Sequence, residues 1–563
     1  MKVAIFGGGI AGLTAAHELS EAGADVTVYE MSNELGGFAK SSWSGDLPTE
    51  HSWRGYAPFY NNTFELMKRI PKHGGRGTVY DNLSLPVTFL HLRDKATGRK
   101  EFGPKATWKD GAMTNYRMGR AMTSDKRPYT NVGAVDALRP GLSRDGAEIW
   151  IKTIGPWSGQ DAETMSLHHF AWFYQLTGIR RRAYTHTHIR DGIEYKNGTG
   201  PRAEWHVMAK PTNEAWFNPW AAHLRARGVK FVFGAELTRI DSIKGATMGC
   251  YIMHDGDAKR VLADKYIVAV DPYTCTEIAT RSELRSTSFD QLRALTETPT
   301  GEPQPPHVQI AFQMEMRDGA GLQMNPTEAF ILSDSEFNIT VCPQEHFFDQ
   351  RVLQGRRIWS GTACSTSRAG KLFGLPASEL TRAQFREEVI SQLVRSKELG
   401  IKKSDILRFV IWKDWSFPPA VSAYPKWVNR VGTYKHRPSQ KTDIEHLILT
   451  GAHTKTTMDI WSMEGAVESG KLAARIALGG EIPSTQAAQV PLYYHKPLPV
   501  LAAMSKVDNV LYAVGLPNVL DCLVAVIILI LLILVVSLIR RGWKKRAEHN
   551  ADSPGALPQT IHI

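Results

Sequence analysis

Lys2-Val3-Ala4-Ile5-Phe6-Gly7-Gly8-Gly9-Ile10-Ala11-Gly12 stands near the head of a chain of 563 residues. The residues to Phe6 read as a short buried strand, and Leu13, Ala16, Leu19 and Ala22 follow the glycines at helical spacing. Gly7 permits the tight turn between strand and helix. Gly9 lets a pyrophosphate approach the backbone, Gly12 allows the helix to lie against the strand, and the helix N-terminus favours phosphate charge. A second strand, Asp25-Val26-Thr27-Val28-Tyr29, ends at Glu30, about 20 residues on, where a carboxylate can accept both ribose hydroxyl protons. The opening is therefore a dinucleotide-binding βαβ unit of Rossmann type. It leaves NAD and FAD open, since both contain an ADP half.

After Glu30 come Met31-Ser32-Asn33-Glu34-Leu35-Gly36-Gly37, whose paired glycines suit a second backbone loop set against a ribityl chain and flavin. This acid-then-Gly-Gly arrangement resembles the FAD-dependent amine oxidase and carotenoid desaturase superfamily, and the cofactor the resemblance implies is FAD. The flavin site of that superfamily is discontinuous, and two further traces of it lie far along the chain. Trp220 to Gly228 reads as a helix and Val229 to Phe233 as a strand. The stretch Ala235-Glu236-Leu237-Thr238-Arg239-Ile240 then resembles the family segment whose backbone touches the adenine. Ala263 to Val270 resembles the strand that returns to the nucleotide domain. Near the end, Leu447 to Thr454 precedes Ser462-Met463-Glu464-Gly465-Ala466-Val467-Glu468-Ser469-Gly470, again a strand before a helix. Helix N-terminal amides near Met463 and Glu464 would stabilise the charge that a reduced flavin carries around N1 and O2.

Within the superfamily the chain most resembles plant and cyanobacterial-type phytoene and carotene desaturases. Three stretches carry this: Pro48 to Tyr56 with Asn61 and Asn62, Pro211 to Gly228, and Arg437-Pro438-Ser439-Gln440 with Ser462 to Gly470. Two positions depart from the pattern. Ala452 stands where these families usually place an acid, and His453 occupies the aromatic position after it. Carried over position by position, the resemblance implies a cofactor site of Gly7, Gly9, Ala11, Gly12, Glu30, Gly36, Gly37, Leu237, Gly451, Met463 and Glu464. It offers Lys40, His51 and Arg54 from the glycine loop, together with His453, as candidates for a role in catalysis. Phe170 to Tyr174 either line an apolar tunnel or belong to the core. His168-His169 and His186-Thr187-His188 supply no third ligand, so no metal is expected.

The hydrophobic and charged fractions of 43% and 22% are those of a chain that folds mostly in water. Its formal charge of +11 and pI near 9.2 are spread out, apart from Arg180-Arg181-Arg182 and the run from Arg540 to Arg546. A negatively charged membrane surface, not nucleic acid, is the partner this suggests. Cys250, Cys275, Cys342, Cys364 and Cys522 form no close pair, which points to a reducing, cytosol-like or stroma-like compartment. No secretory signal is visible, and the Asn-x-Ser/Thr matches at Asn61, Asn197 and Asn338 would matter only in a secreted protein. Val519 to Ile539 is almost wholly apolar and long enough as a helix for the roughly 30 Å hydrocarbon core.

These readings predict an α/β fold: a discontinuous Rossmann-type FAD-binding domain (1–75, 210–290 and 440–480) and a mixed α/β substrate domain (76–209 and 291–439). An interfacial stem (498–518), a single transmembrane helix (519–539) and a basic, then polar tail (540–563) follow. The expected activity is hydride transfer from a hydrophobic isoprenoid or lipid substrate to the flavin, with desaturation or isomerisation as outcome. The expected partners are membrane lipid and an electron acceptor, quinone or oxygen. Two alternatives remain open: a flavin amine oxidase of the same fold, and a flavin-binding membrane protein without catalysis.

Overall fold

The computed structural model describes residues 1–51, 54–72, 74–91, 106–179, 186–190, 193–197, 205–298, 300–321, 328–332, 335–347, 353, 355–396, 399–479 and 489–551. Arg180 to Arg182, Ser52, Trp53 and the tail beyond Ala551 lie outside them, as do the side chains of His186 and His188.

Two compact units emerge, Met1–Thr114 with Pro128–Lys496, and Asn115–Arg127 with Pro497–Ile563. The first contains a five-stranded parallel sheet in the spatial order Leu447–Leu449, Lys265–Val268, Lys2–Phe6, Asp25–Glu30, Lys230–Phe233. Ile5 at its centre pairs with Val28 on one side and Ile267 on the other. The central strand Lys2–Phe6 and the edge strand Leu447–Leu449 are buried nearly throughout and read as unbroken apolar runs, whereas Asp25–Glu30 alternates. Helix Ile10–Glu21 packs backbone to backbone on helix Met463–Ala477: a Cβ on Gly470 would stand 2.5 Å from the Ala11 carbonyl oxygen. Every strand of this sheet comes from segments 1–75, 210–290 and 440–480.

A seven-stranded mixed sheet runs Ile406–Ile411, Ile310–Met316, Arg357–Ala363, Thr340–Pro343, Glu328–Ile331, Leu83–His91, Trp205–Met208. Its strands come from 76–209 and 291–439. Pairing is antiparallel except between Glu328–Ile331 and Leu83–His91. Ile310–Met316 and Arg357–Ala363 are buried at every position, so this sheet too has two covered faces. A three-stranded antiparallel sheet, Ala235–Ile243, Ala246–His254 and Asp257–Val261, completes the larger sheets. Asn338, one of the three Asn-x-Ser/Thr positions, is fully buried.

In the second unit, helix Pro499–Ala513 precedes helix Val519–Ala551. The segment Asn115–Arg127, expected within the substrate domain, groups with them. Asp508 explains why. Its carboxylate accepts from Ser124 Oγ (2.6 Å), Arg127 Nε (2.8 Å) and the Val519 amide (2.8 Å), and it is fully buried. The predicted stem thus contains a helix, Pro499–Ala513, tied by an ion pair to Arg127 of the segment Asn115–Arg127. Asp521 adds Arg120 at 3.1 Å and the Tyr116 hydroxyl. The last helix does not stop at Ile539; it continues through the basic residues and Gly542 to Ala551, with no proline to interrupt it. Its most apolar stretch has a mean hydropathy of 3.6 and is not buried, and the helix is long and apolar enough to cross a membrane.

Candidate active site

A cavity of about 500 Å³ runs through the first unit, within the range of about 300–1,000 Å³ usual for small-molecule sites. Gly7, Gly9, Ala11, Glu30, Gly36, Gly37, Leu237, Gly451 and Met463 all lie on its wall, although they come from five stretches of sequence. The two glycine loops meet there. The Gly36 amide donates to the Gly8 carbonyl at 2.8 Å, and a Cβ on Gly37 would lie 3.1 Å from the Gly9 α-carbon. Gly7 sits at φ +110°, a conformation that side chains rarely adopt, with the Ala269 carbonyl directly beside its α-carbon. Gly9 is different: a Cβ there would have only the Gly37 α-carbon within 4 Å, at 3.9 Å. The backbone at Gly9 is open to the cavity, as close approach of a pyrophosphate requires.

The Glu30 carboxylate accepts from the Gly8 amide (2.7 Å) and the Ser32 amide (2.9 Å). Each oxygen keeps a free lone pair, which is the acceptor a ribose diol needs. These walls fit a dinucleotide. Gly12 does not line the cavity; a Cβ on it would stand 2.0 Å from the Gly7 carbonyl oxygen, so its place is helix-to-turn packing. Glu464 also faces elsewhere. It accepts from the Asn62 and Thr63 amides, both at 2.9 Å, and lies 3.0 Å from His495 Nε2. Burial pushes its carboxyl up, but His495, Thr63 and Asn62 outweigh this and hold it below the ordinary range. It caps helix Asn61–Arg69, while the helix it opens, Met463–Ala477, is capped by Ser462 and presents Met463 and Ala466 to the cavity.

Of the four candidates for a role in catalysis, Arg54 and His453 reach the wall and Lys40 and His51 do not. Arg54 is held by Glu50 at 2.8 Å. Lys40 donates to the Tyr424 hydroxyl at 2.6 Å. His51 is enclosed by Phe38, Trp412 and Trp415, and burial, with Lys426, Arg54 and His307 nearby, keeps it neutral. Burial and Arg437 likewise push His453 down to about 3. Of the aromatic run, Phe173 lines the cavity and Phe170 is core.

The Arg437-Pro438-Ser439-Gln440 stretch has a structural task that sequence alone did not reveal. Buried Arg437 donates to the carbonyls of Ala452 (2.9 Å), His453 (3.2 Å) and Thr454, and also pairs with Asp459. Gln440 Nε2 donates to Thr454 Oγ1 at 2.8 Å, and Ser469 Oγ accepts from the Gly451 amide at 2.9 Å. The loop after the last strand is thereby clamped from two sides.

Sequence reading also missed Gln309, Thr340, Thr362, Cys364, Tyr424, Lys426 and Trp461, all on the cavity wall. They belong to no motif and converge only through the seven-stranded sheet and the loops beside it. Among the described residues one group has metal-ligand geometry, His17, Glu21 and His223. Trp220 Nε1–H donates to His17 Nδ1 at 3.2 Å, which places the imidazole proton on Nε2, facing Glu21. A metal would need that lone pair.

Two family models match the chain: an NAD(P)-binding Rossmann-like domain over residues 5–70, and flavin-containing amine oxidoreductase over residues 218–478. A protein named probable zeta-carotene desaturase from Synechococcus elongatus is 23% identical over 85% of this chain and 98% of its own length. A zeta-carotene desaturase of Synechocystis sp. is 24% identical over the same shares. Among solved structures, putrescine oxidase bound to putrescine aligns with a TM-score of 0.57 at 14% identity, covering 85% of this chain and 99% of that one. Cyclohexylamine oxidase from Brevibacterium oxydans aligns with a TM-score of 0.55 at 16% identity, covering 85% and 98%. These two likenesses speak to the fold. With both models matched in the order the fold requires, and relatives aligned over nearly their full length, the chain belongs to the flavin-containing amine oxidoreductase and carotenoid desaturase superfamily and is a flavin-dependent oxidoreductase.

Proposed function

We propose that the protein holds FAD along the glycine loops and oxidises a hydrophobic isoprenoid or other lipid by desaturation, or isomerises it. The observation that carries this reading is the continuity of one cavity from the dinucleotide glycines to an aromatic wall. Phe59, Phe173 and Trp205 stand there with ring centres 6.4–6.5 Å apart, two of the three pairs edge to face. Such a wall excludes water and favours an apolar chain. When bound, the flavin supplies a two-electron acceptor; desaturation breaks two C–H bonds, one leaving as hydride and one as a proton. The chain's contribution is position. Gly9 and Gly37 admit the cofactor's backbone approach, Glu30 receives the ribose, and the N-terminal turn of helix Met463–Ala477 favours negative charge on the reduced ring.

The desaturase relatives support the lipid reading over the amine oxidase alternative. The apolar helix Val519–Glu548 is read as a membrane anchor that shortens the path of a lipid to the cavity, with quinone or oxygen as the final electron acceptor. Anaerobic titration of the yellow protein with a panel of isoprenoids, fatty acids and amines tests the whole. Bleaching of the flavin by a lipid is expected. Bleaching by amines alone would replace the reading with the amine oxidase one, and bleaching by nothing would leave a flavin-binding protein without catalysis.

A further inference from the structure

Along the seven-stranded sheet the cavity wall turns polar. Thr340 and Thr362 are cross-strand partners with buried hydroxyls: that of Thr362 has no hydrogen-bond partner among the described residues, and that of Thr340 meets only the weakly bonding Cys364 thiol. Two residues beyond Thr362, the Cys364 thiol lies 3.6 Å from Gln309 Nε2. The carbonyl of the same Gln309 side chain accepts from Lys426 Nζ, whose second acceptor is the Gly159 carbonyl. Lys426 is 2% exposed, and its nitrogen stands 4.6 Å from the centre of the Trp461 ring.

Buried charges are paired, and buried hydroxyls are hydrogen-bonded, unless something else is meant to meet them. Lys426 has no carboxylate partner among the described residues. The titratable groups that act on it or feel its charge are Cys364, His51 and His307, and burial drives each of them to its neutral form. One buried lysine without a counter-ion, which burial alone pushes toward its neutral form, one unpartnered hydroxyl and a second engaged only by a thiol thus share one stretch of wall.

We propose that this patch receives a carboxylate of the substrate, so that the molecule oxidised is a hydrophobic acid and not a plain hydrocarbon. The inference rests on the lipid reading of the cavity. A carboxylate matches the donors in number, with two oxygens for one ammonium and two hydroxyls. A diphosphate would bring more charge than one lysine balances.

The test uses the full-length, flavin-loaded protein in detergent, titrated with geranylgeranoic acid, its methyl ester and the hydrocarbon phytadiene, with binding read from the flavin absorbance. The acid is expected to bind at least tenfold more tightly than the ester or the hydrocarbon. Lys426→Met should erase that preference, and Thr340→Val should reduce it, each at wild-type flavin content. Equal binding of acid, ester and hydrocarbon by the unmodified protein would overturn the inference and leave the lipid reading standing. Failure of all three to perturb the flavin, with amines doing so, would remove the lipid reading and the inference with it. Should Lys426→Met not fold, the ligand series on the unmodified protein and on Thr340→Val still decides. A Lys426→Met protein that keeps its preference for the acid but shows a shifted flavin potential would assign the charge to the flavin and overturn the inference.

Discussion

Gly9→Ala and Gly12→Ala, two methyl groups added three residues apart in one loop, should fail in opposite ways. At Gly9 the backbone is extended (φ −77°, ψ −178°), and the new Cβ would meet only the Gly37 α-carbon at 3.9 Å, an ordinary contact. Alanine at a compatible position stiffens the unfolded chain by about 0.4–1 kcal/mol, and its poorer N-capping takes back a similar amount. The cofactor-free protein should therefore melt within about 2 °C of the parent. The methyl nevertheless occupies the space a pyrophosphate must enter. Losing one or two hydrogen bonds to a charged group, at about 1.5–3 kcal/mol each, weakens FAD binding by roughly ten- to a thousand-fold or more. At Gly12 the Cβ would lie 2.0 Å from the Gly7 carbonyl oxygen, backbone against backbone, with no flexible side chain to yield. Overpacking of this kind costs about 1–3 kcal/mol or more, so fold and flavin should be lost together. Thermal melts of the cofactor-free proteins, set beside flavin released per chain, separate the two. Wild-type FAD affinity in Gly9→Ala would show that the phosphates do not lie at Gly9, and a collapse of its melting temperature to that of Gly12→Ala would refute the steric reasoning.

Three further outcomes are expected. Burial depresses Lys426 from 10.5 to about 7, so the unfolded chain binds more protons between those values and stability rises as pH climbs through them. Lys426→Met should accordingly raise the free energy of unfolding most below pH 7, by at most about 5 kcal/mol before the orphaned Gln309 carbonyl is discounted, and by nothing above about pH 10.5. Equal gains at pH 6 and pH 11 would sink this. Asp508→Ala strands Arg127 and should cost about 3–5 kcal/mol within the second unit, seen as faster amide exchange over Asn115–Arg127. Although burial raises its carboxyl, Arg127 and Ser124 hold it below the ordinary value, so the contribution is present above about pH 4 and fades as pH falls; unchanged exchange would show that the pair is not structural. A chain ending at Lys496 should be freely soluble with full FAD content, because the cavity lies within Phe6 to Ala466, and should lose turnover of lipid in liposomes far more than in micelles. The cut removes Asp508 and leaves Ser124 and Arg127 without it, a loss confined to Asn115–Arg127, none of which lines the cavity. Equal loss in both assays would give the segment a part in the active site.

The nucleotide half was legible because its physics is local. A tight turn, a close backbone approach and an apolar parallel strand each demand particular residue types at fixed spacing, so Gly7, Gly9 and Glu30 declare themselves in the sequence. The loop at Gly451 was legible by resemblance, yet what fixes it, Arg437 reaching three carbonyls, could not be seen without the fold. Glu464 shows the opposite limit. Its amide at a helix N-terminus suggested the cofactor, whereas the task of its carboxylate, which meets five partners at Asn62, Thr63 and His495, could not be seen without the fold. The wall that selects a substrate was the least legible part. Gln309, Thr340, Thr362 and Lys426 come from four separate stretches, and only sheet register brings them to one place.

The backbone contact between Ala11 and Gly470 also sets an order of events during synthesis. The first helix of the chain is made early, but the helix that covers it, and the edge strand Leu447–Leu449 beside it, come more than four hundred residues later. Until then the glycine loop has one bare side, and long-range closure of this kind is slow. A nascent chain therefore gains its ability to retain flavin only once helix Met463–Ala477 has been made, before the apolar helix Val519–Ala551 leaves the ribosome. Capture of the cofactor reports that the chain has been read past Gly470, and any product truncated before Leu447 should remain colourless however well its first hundred residues fold.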